Sequence, residues 1–173
     1  MSKYNAKKVI VTPDGTLFEE HLVKEYNLDV KGTRFDSEME GEYYQELLLM
    51  KRYGEIKDFS CQPKFVLQEN PKITYIADFM ITDLDGSQRV IDIKGVETST
   101  FRVKLKLFKA KYPTLPIEIL VKRRGEFVPL KEVKKEKAAQ KRATKKLLKN
   151  AEGKIENVRY LRNGNEIYRN QKR

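Results

Sequence analysis

The feature that most constrains this chain is an apolar hairpin pattern with charges set inside it: Ile73-Thr-Tyr-Ile-Ala-Asp-Phe-Met-Ile-Thr82, then Asp83-Leu-Asp-Gly86, then Gln88-Arg-Val-Ile-Asp-Ile-Lys94. β-Branched and aromatic residues predict two strands, and the Asp/Gly-rich link predicts a tight turn between them. Asp78 interrupts the first apolar run, and Asp92 and Lys94 interrupt the second. Side chains alternate along a strand, so Asp92 and Lys94 share one face while Ile91 and Ile93 share the other. Pairing about Asp85-Gly86 brings Asp78 close to residues 92–94. Two carboxylates side by side repel, so this pairing needs a counter-charge. A hard divalent cation such as Mg²⁺ supplies it and takes oxygen ligands. Lys94 alone does not offset both acids, and is expected beside the ion, where it orients water or stabilises charge on a phosphate.

The flanking elements read as a mixed α/β core. Val9 to Phe18 reads as strand, Pro-Asp-Gly turn and return strand, and Glu19 to Asn27 has weak helical spacing. Asp36-Ser37 opens a helix with apolar positions at Met39, Tyr43, Leu47 and Met50, and Gly54 closes it. Lys64 to Gln68 is a short strand. From Phe101 to Tyr112 the pattern is amphipathic, with Phe101, Leu105 and Phe108 on one face and Arg102, Lys106 and Lys109 on another. Pro113 stops that helix, and Ile117 to Val121 is an apolar strand. The expected order is therefore helix, three meandering strands, helix, strand. Residues 131–150 form a Lys/Ala-rich helix, and residues 158–168 a small hairpin about Asn163-Gly164.

Charge divides the chain. Residues 1–130 are almost balanced at +1, whereas residues 131–173 carry +10 of the total +11. A near-neutral body with a basic end predicts a globular domain, 1–130, and an arm for a polyanion, 131–173. In the arm, Lys134, Lys135, Lys141, Arg142, Lys145 and Lys146 are the candidate phosphate contacts, joining Arg102, Lys106 and Lys109 of the body. A single cysteine, Cys61, excludes an internal disulfide and a Cys-rich zinc site, and a single histidine, His21, excludes His-paired metal motifs. No apolar run reaches the roughly 18 residues of a membrane span, and no secretory leader is read at the start, so a cytoplasmic setting is expected. Glu38, Glu42 and Glu46 form a helical stripe expected to face water, and Glu40 lies off it, aimed inward. Tyr43, Tyr44, Tyr53 and Tyr75 read as core or shell residues, not as platforms for stacking bases.

Five segments, in order, carry a resemblance: Phe35-Asp-Ser-Glu-Met-Glu-Gly-Glu-Tyr-Tyr44, Gly54-Glu-Ile-Lys-Asp58, Gln62-Pro-Lys-Phe65, Tyr75-Ile-Ala-Asp-Phe79 and Ile91-Asp-Ile-Lys-Gly95. They resemble small phage and prophage endonucleases of the PD-(D/E)xK superfamily, similar to Holliday-junction resolvases, with Ala77 in place of the usual proline. The resemblance covers about residues 33–130, and residues 12–32 read as an insertion relative to it. It implies a restriction-endonuclease-like α/β core and Mg²⁺- or Mn²⁺-dependent hydrolysis of DNA phosphodiesters, in branched DNA of phage recombination or replication. In the implied site, Asp78 and Asp92 bind the metal, completed by the backbone carbonyl of Ile93. Glu40 holds a metal-bound water or second ion, Lys94 positions the attacking water, and Gln62 is a polar helper. A homodimer in the host cytoplasm is implied, because resolving a junction takes two active sites. Two other readings stay open: a non-catalytic nucleic-acid binder that retains the fold, and a nickase or duplex endonuclease.

Overall fold

The computed structural model describes residues 6–149 and divides the chain into two units, Met1–Leu130 and Lys131–Arg173. The hairpin expected at residues 158–168 lies outside the described residues.

In the first unit the chain runs through β1 (Val9–Val11), β2 (Leu17–Glu19), α1 (Glu20–Glu25) and β3 (Thr33–Phe35). These strands form an antiparallel sheet in the order β2-β1-β3. Helix α2 (Glu38–Arg52) follows, capped by Ser37, whose hydroxyl accepts from the Glu40 N–H at 3.3 Å. It ends at Tyr53, with Gly54 in the left-handed conformation (φ +71°) that a helix stop requires. Gly41 lets α2 come close to the small sheet: a Cβ there would stand 2.5 Å from Val9 Cγ2.

Next come β4 (Asp58–Cys61), β5 (Lys64–Gln68), β6 (Ile73–Ile76), β7 (Phe79–Thr82) and β8 (Gln88–Ile93). Helix α3 (Ser99–Lys111), β9 (Ile117–Arg123) and β10 (Glu126–Pro129) complete the unit. The main sheet has the order β10-β9-β8-β7-β4. It is antiparallel except between β8 and β9, which are parallel and joined through α3. The β5–β6 hairpin stands as a separate two-stranded sheet.

Alternation along the central strands supplies two cores. Ile91 and Ile93, with Phe79 and Ile81, pack with Tyr43 and Leu47 of α2 and with Val9 and Val11. Val90 faces the other way, to Phe101 and Phe108 of α3 and to Leu67 and Tyr75 of the hairpin. Each large apolar side chain sealed in this way contributes about 1.5–3 kcal/mol.

Two expectations are corrected: Lys64–Gln68 is not the first strand of the meander, a place that β4 takes in the run β4-β7-β8, but pairs with β6 in the separate hairpin. The apolar run 73–82 is not a single strand: it breaks at Ala77–Asp78 into β6 and β7, which belong to different sheets. There the Ala77 N–H turns to the Pro63 carbonyl (3.1 Å), and the Asp78 carbonyl accepts from Gln62 N–H (2.8 Å). Strands β3, β4 and β10 add to the expected set. In the second unit, residues 131–149 have helical backbone. No helix among the described residues is long and apolar enough to cross a membrane.

Candidate functional site

The break at Ala77–Asp78 builds the site. Asp78 stands just before β7, and the register of β7 on β8, with Phe79 opposite Ile91, sets it beside the end of β8. Its Oδ2 accepts the backbone N–H of Ile93 at 2.6 Å. Asp92 projects from β8 on the α3 side of the sheet, with its side chain fully sealed (0% exposed). Tyr75 donates its hydroxyl to Asp92 Oδ2 at 2.6 Å, and Lys94 donates to Asp92 Oδ1 at 2.5 Å. The Lys94 ammonium lies 3.9 Å from Asp78 Oδ2 and 5.3 Å from the centre of the Phe101 ring. Asp78 keeps 16% and Lys94 28% of side-chain surface open, so the group opens to solvent on their side.

The electrostatics follow from this crowding. Burial, and then the negative charge of Asp92, push the Asp78 carboxyl up to about 8. Burial alone would favour neutral Lys94, but the carboxylates of Asp78 and Asp92 outweigh it and hold its pKa above the ordinary lysine value. Burial first, then Asp92, raise the Tyr75 phenol, which therefore stays a hydrogen-bond donor. One ammonium between two carboxylates leaves a negative excess that a proton or a further cation can neutralise.

Glu40 is placed differently. It lies on α2, which packs against the Ile91 and Ile93 face, whereas Asp92 and Lys94 belong to the opposite face. Its Oε1 accepts the Ser37 hydroxyl at 2.7 Å, and the Ser37 hydroxyl in turn accepts the Glu40 N–H, so the cap and the carboxylate are tied together at the start of the helix. Burial first raises its pKa, and its charge is felt at Asp78 and Lys94. The structure thus brings Asp78, Asp92 and Lys94 together and leaves Glu40 at the margin. Among the described residues, no group of three or more His, Cys, Asp or Glu side chains is placed to hold a metal ion. The donor set fits a hard divalent cation as a pair: two desolvated carboxylates, Asp78 and Asp92, whose mutual repulsion such an ion relieves.

Ile93 meets Asp78 through its N–H, and Gln62 through its backbone N–H to the Asp78 carbonyl. Gln62 is exposed, with left-handed backbone (φ 52°), which is uncommon for a residue with a side chain. Arg102, Lys106 and Lys109 are all exposed on α3. In the second unit Lys134, Lys135, Lys141, Arg142, Lys145 and Lys146 are exposed on helical backbone. A cavity lined by Glu42, Gln45, Glu46, Lys122 and Phe127 contains none of the residues of the acid pair, and its Glu42 is tied to Lys122 at 2.5 Å.

Sequence reasoning treated Tyr75 as packing, and missed its hydroxyl. Its aromatic character predicted the ring's burial, but the bond to Asp92 spans 17 residues and two sheets. The capped helix start, in contrast, was written in Asp36-Ser37.

Residues 22–126 match the model of a family described as "Protein of unknown function (DUF1064)". The match takes in Glu40, Gln62, Asp78, Asp92, Lys94 and the basic face of α3, together with residues 22–32 of the segment read as an insertion. No curated protein and no solved structure matches the chain.

Proposed function

The chain belongs to the DUF1064 family, and from that premise we propose that it is a divalent-metal-dependent DNA endonuclease of the PD-(D/E)xK type. The observation that carries this reading is the sealed Asp92 beside the part-buried Asp78, with Lys94 against both at the open rim. The order of α2, the antiparallel strands β4, β7 and β8, α3 and the parallel strand β9 supports a restriction-endonuclease-like core.

Asp78 and Asp92 would hold Mg²⁺ or Mn²⁺. Such an ion, when bound, lowers the pKa of water and offsets charge gathering on phosphoryl oxygens. Lys94 supplies a fixed ammonium at the rim, where it orients a water or binds a phosphate oxygen. The Asp78–Ile93 bond holds the first carboxylate against the strand that carries the second. Arg102, Lys106 and Lys109, with the basic residues of 131–149, bind the phosphate backbone without reading sequence. Branched DNA is the proposed substrate, and a homodimer the proposed assembly, acting in the cytoplasm of a phage host.

The test is a cleavage assay with Mg²⁺, Mn²⁺ or chelator, offering a four-way junction, a flap, linear duplex and single strand in parallel. Metal-dependent cuts, preferring the junction or flap, are expected. A second reading, a binder without catalysis, draws on Glu40, which is engaged with Ser37 instead of completing a three-acid cluster. On that reading Asp78→Ala leaves every assay unchanged.

A further inference from the structure

We infer that Tyr75 is a positioning residue for Asp92: its hydroxyl holds one carboxylate oxygen so that the other is turned to Lys94 and the open rim. The inference rests on the nuclease reading and adds a residue that the sequence pattern assigned to packing.

The ring of Tyr75 is almost wholly buried and is confined on several sides. The Phe101, Phe108 and Phe65 rings lie 6.3, 5.7 and 6.5 Å from it, centre to centre. A ring so packed has little freedom about its side-chain torsions. Its hydroxyl is therefore a fixed donor, 2.6 Å from Asp92 Oδ2, while Asp92 Oδ1 takes Lys94 at 2.5 Å. Rotation of a carboxylate about its last torsion is soft and nearly two-fold, so a rigid partner on one oxygen decides which oxygen is presented. Without Tyr75, only the ammonium of Lys94, on a flexible four-carbon stem, would orient the group.

Packing alone does not call for that hydroxyl. Phenylalanine fills neighbouring positions in the same cluster, and a buried hydroxyl without a partner is unfavourable. Tyr112 gives the contrast: its hydroxyl, from the same cluster, donates to the Val66 carbonyl at 3.0 Å and serves the backbone. Two tyrosines of one cluster thus have different duties, and the hydroxyl of Tyr75 alone of the two is aimed at the acid pair.

The experiment compares full-length wild type, Tyr75→Phe and Tyr112→Phe. Mn²⁺ binding is followed by electron paramagnetic resonance, which needs no turnover, and cleavage is assayed beside it. Loss of a partner that orients a metal ligand weakens metal binding by about 10–100-fold. Tyr75→Phe is therefore expected to bind Mn²⁺ at least about tenfold more weakly, and to lower kcat with KM for DNA unchanged. Tyr112→Phe is expected to bind Mn²⁺ as wild type does, even where its melting temperature falls. Equal Mn²⁺ affinity in Tyr75→Phe and wild type would overturn the positioning role while leaving the nuclease reading in place. A wild-type protein that takes up no Mn²⁺ would overturn that reading, and the inference with it.

Discussion

The acid pair and the basic surfaces handle charge in opposite ways. Asp92 is sealed, its two oxygens are assigned to two donors, and one ammonium faces two carboxylates within 4 Å. Arg102, Lys106 and Lys109 on α3, and the basic residues of 131–149, are exposed to solvent. In the first region single atoms decide the outcome, because burial weakens dielectric screening. In the second, charges act as a sum, screened over about 10 Å at ordinary salt. On the proposed function, chemistry is concentrated in one, and affinity for DNA is spread over the other.

The strongest way to break this comparison is Asp78→Asn. Cleavage is expected to fall by about three orders of magnitude, as when a stabilising group at a reacting centre is lost. DNA binding, measured by gel shift, should persist or tighten, since a carboxylate that repels phosphate has gone. Parallel loss of both activities would show that the two regions are not separable.

pH sharpens the contrast next. Asp78, faced by Asp92, Lys94, Tyr75 and Glu40, has its pKa raised by burial from 3.8 to about 8. Between those values the folded chain keeps a proton that the unfolded chain releases, so stability falls as pH rises and levels off above about 8. The slope is up to about 1.4 kcal/mol per pH unit. Denaturant titrations of the metal-free protein should show this decline, and Asp78→Asn should flatten it. Added Mg²⁺ should stabilise more at pH 8 than at pH 5, where protons compete for the carboxylates.

Salt tests the other region. Each phosphate contact contributes about 0.9 to the slope of log affinity against log salt on duplex DNA. Arg102→Ala with Lys106→Ala should lower that slope by about 2. Ending the chain at Leu130 should lower it further, and an unchanged slope would remove residues 131–173 from the interface.

The smallest effect is expected from Glu40→Gln. A marginal group that acts through its field should change cleavage by about tenfold or less, against the loss at Asp78. Equal losses would place Glu40 among the ligands. Ser37→Ala should reduce stability by about 0.5–2 kcal/mol, as other lost helix caps do.

What could be read in the sequence, and what could not, follows from the range of each signal. The turn at Asp83 to Gly86, the capped start of α2 and the Asp92/Lys94 alternation are local, and all three are present. The sheet switch at Ala77–Asp78 was marked only by Asp78 itself, which reads as a charge within one strand because β-branched and aromatic residues continue on both sides of it. Strands β3, β4 and β10 span only three or four residues, too few for a period to show. Glu40 was read from its offset along the helix, which cannot weigh the hydrogen bond from Ser37 or the repulsion from Asp78. Tyr75 reaches Asp92 only because the hairpin folds over the main sheet, a relation that no spacing encodes.

Tyr75 and Asp78 are three positions apart along the chain, but Tyr75 belongs to the two-stranded sheet while Asp78 stands at the entry to a strand of the main one, and Asp92 is gripped from the first and crowded by the second. A molecule with the main sheet but without the docked hairpin would hold Asp78 on Ile93 and Lys94 on Asp92, yet leave the second oxygen of Asp92 without its tyrosine donor. On the proposed function, divalent-ion uptake would therefore report whether the hairpin has docked on the main sheet, and not merely whether the acids are present.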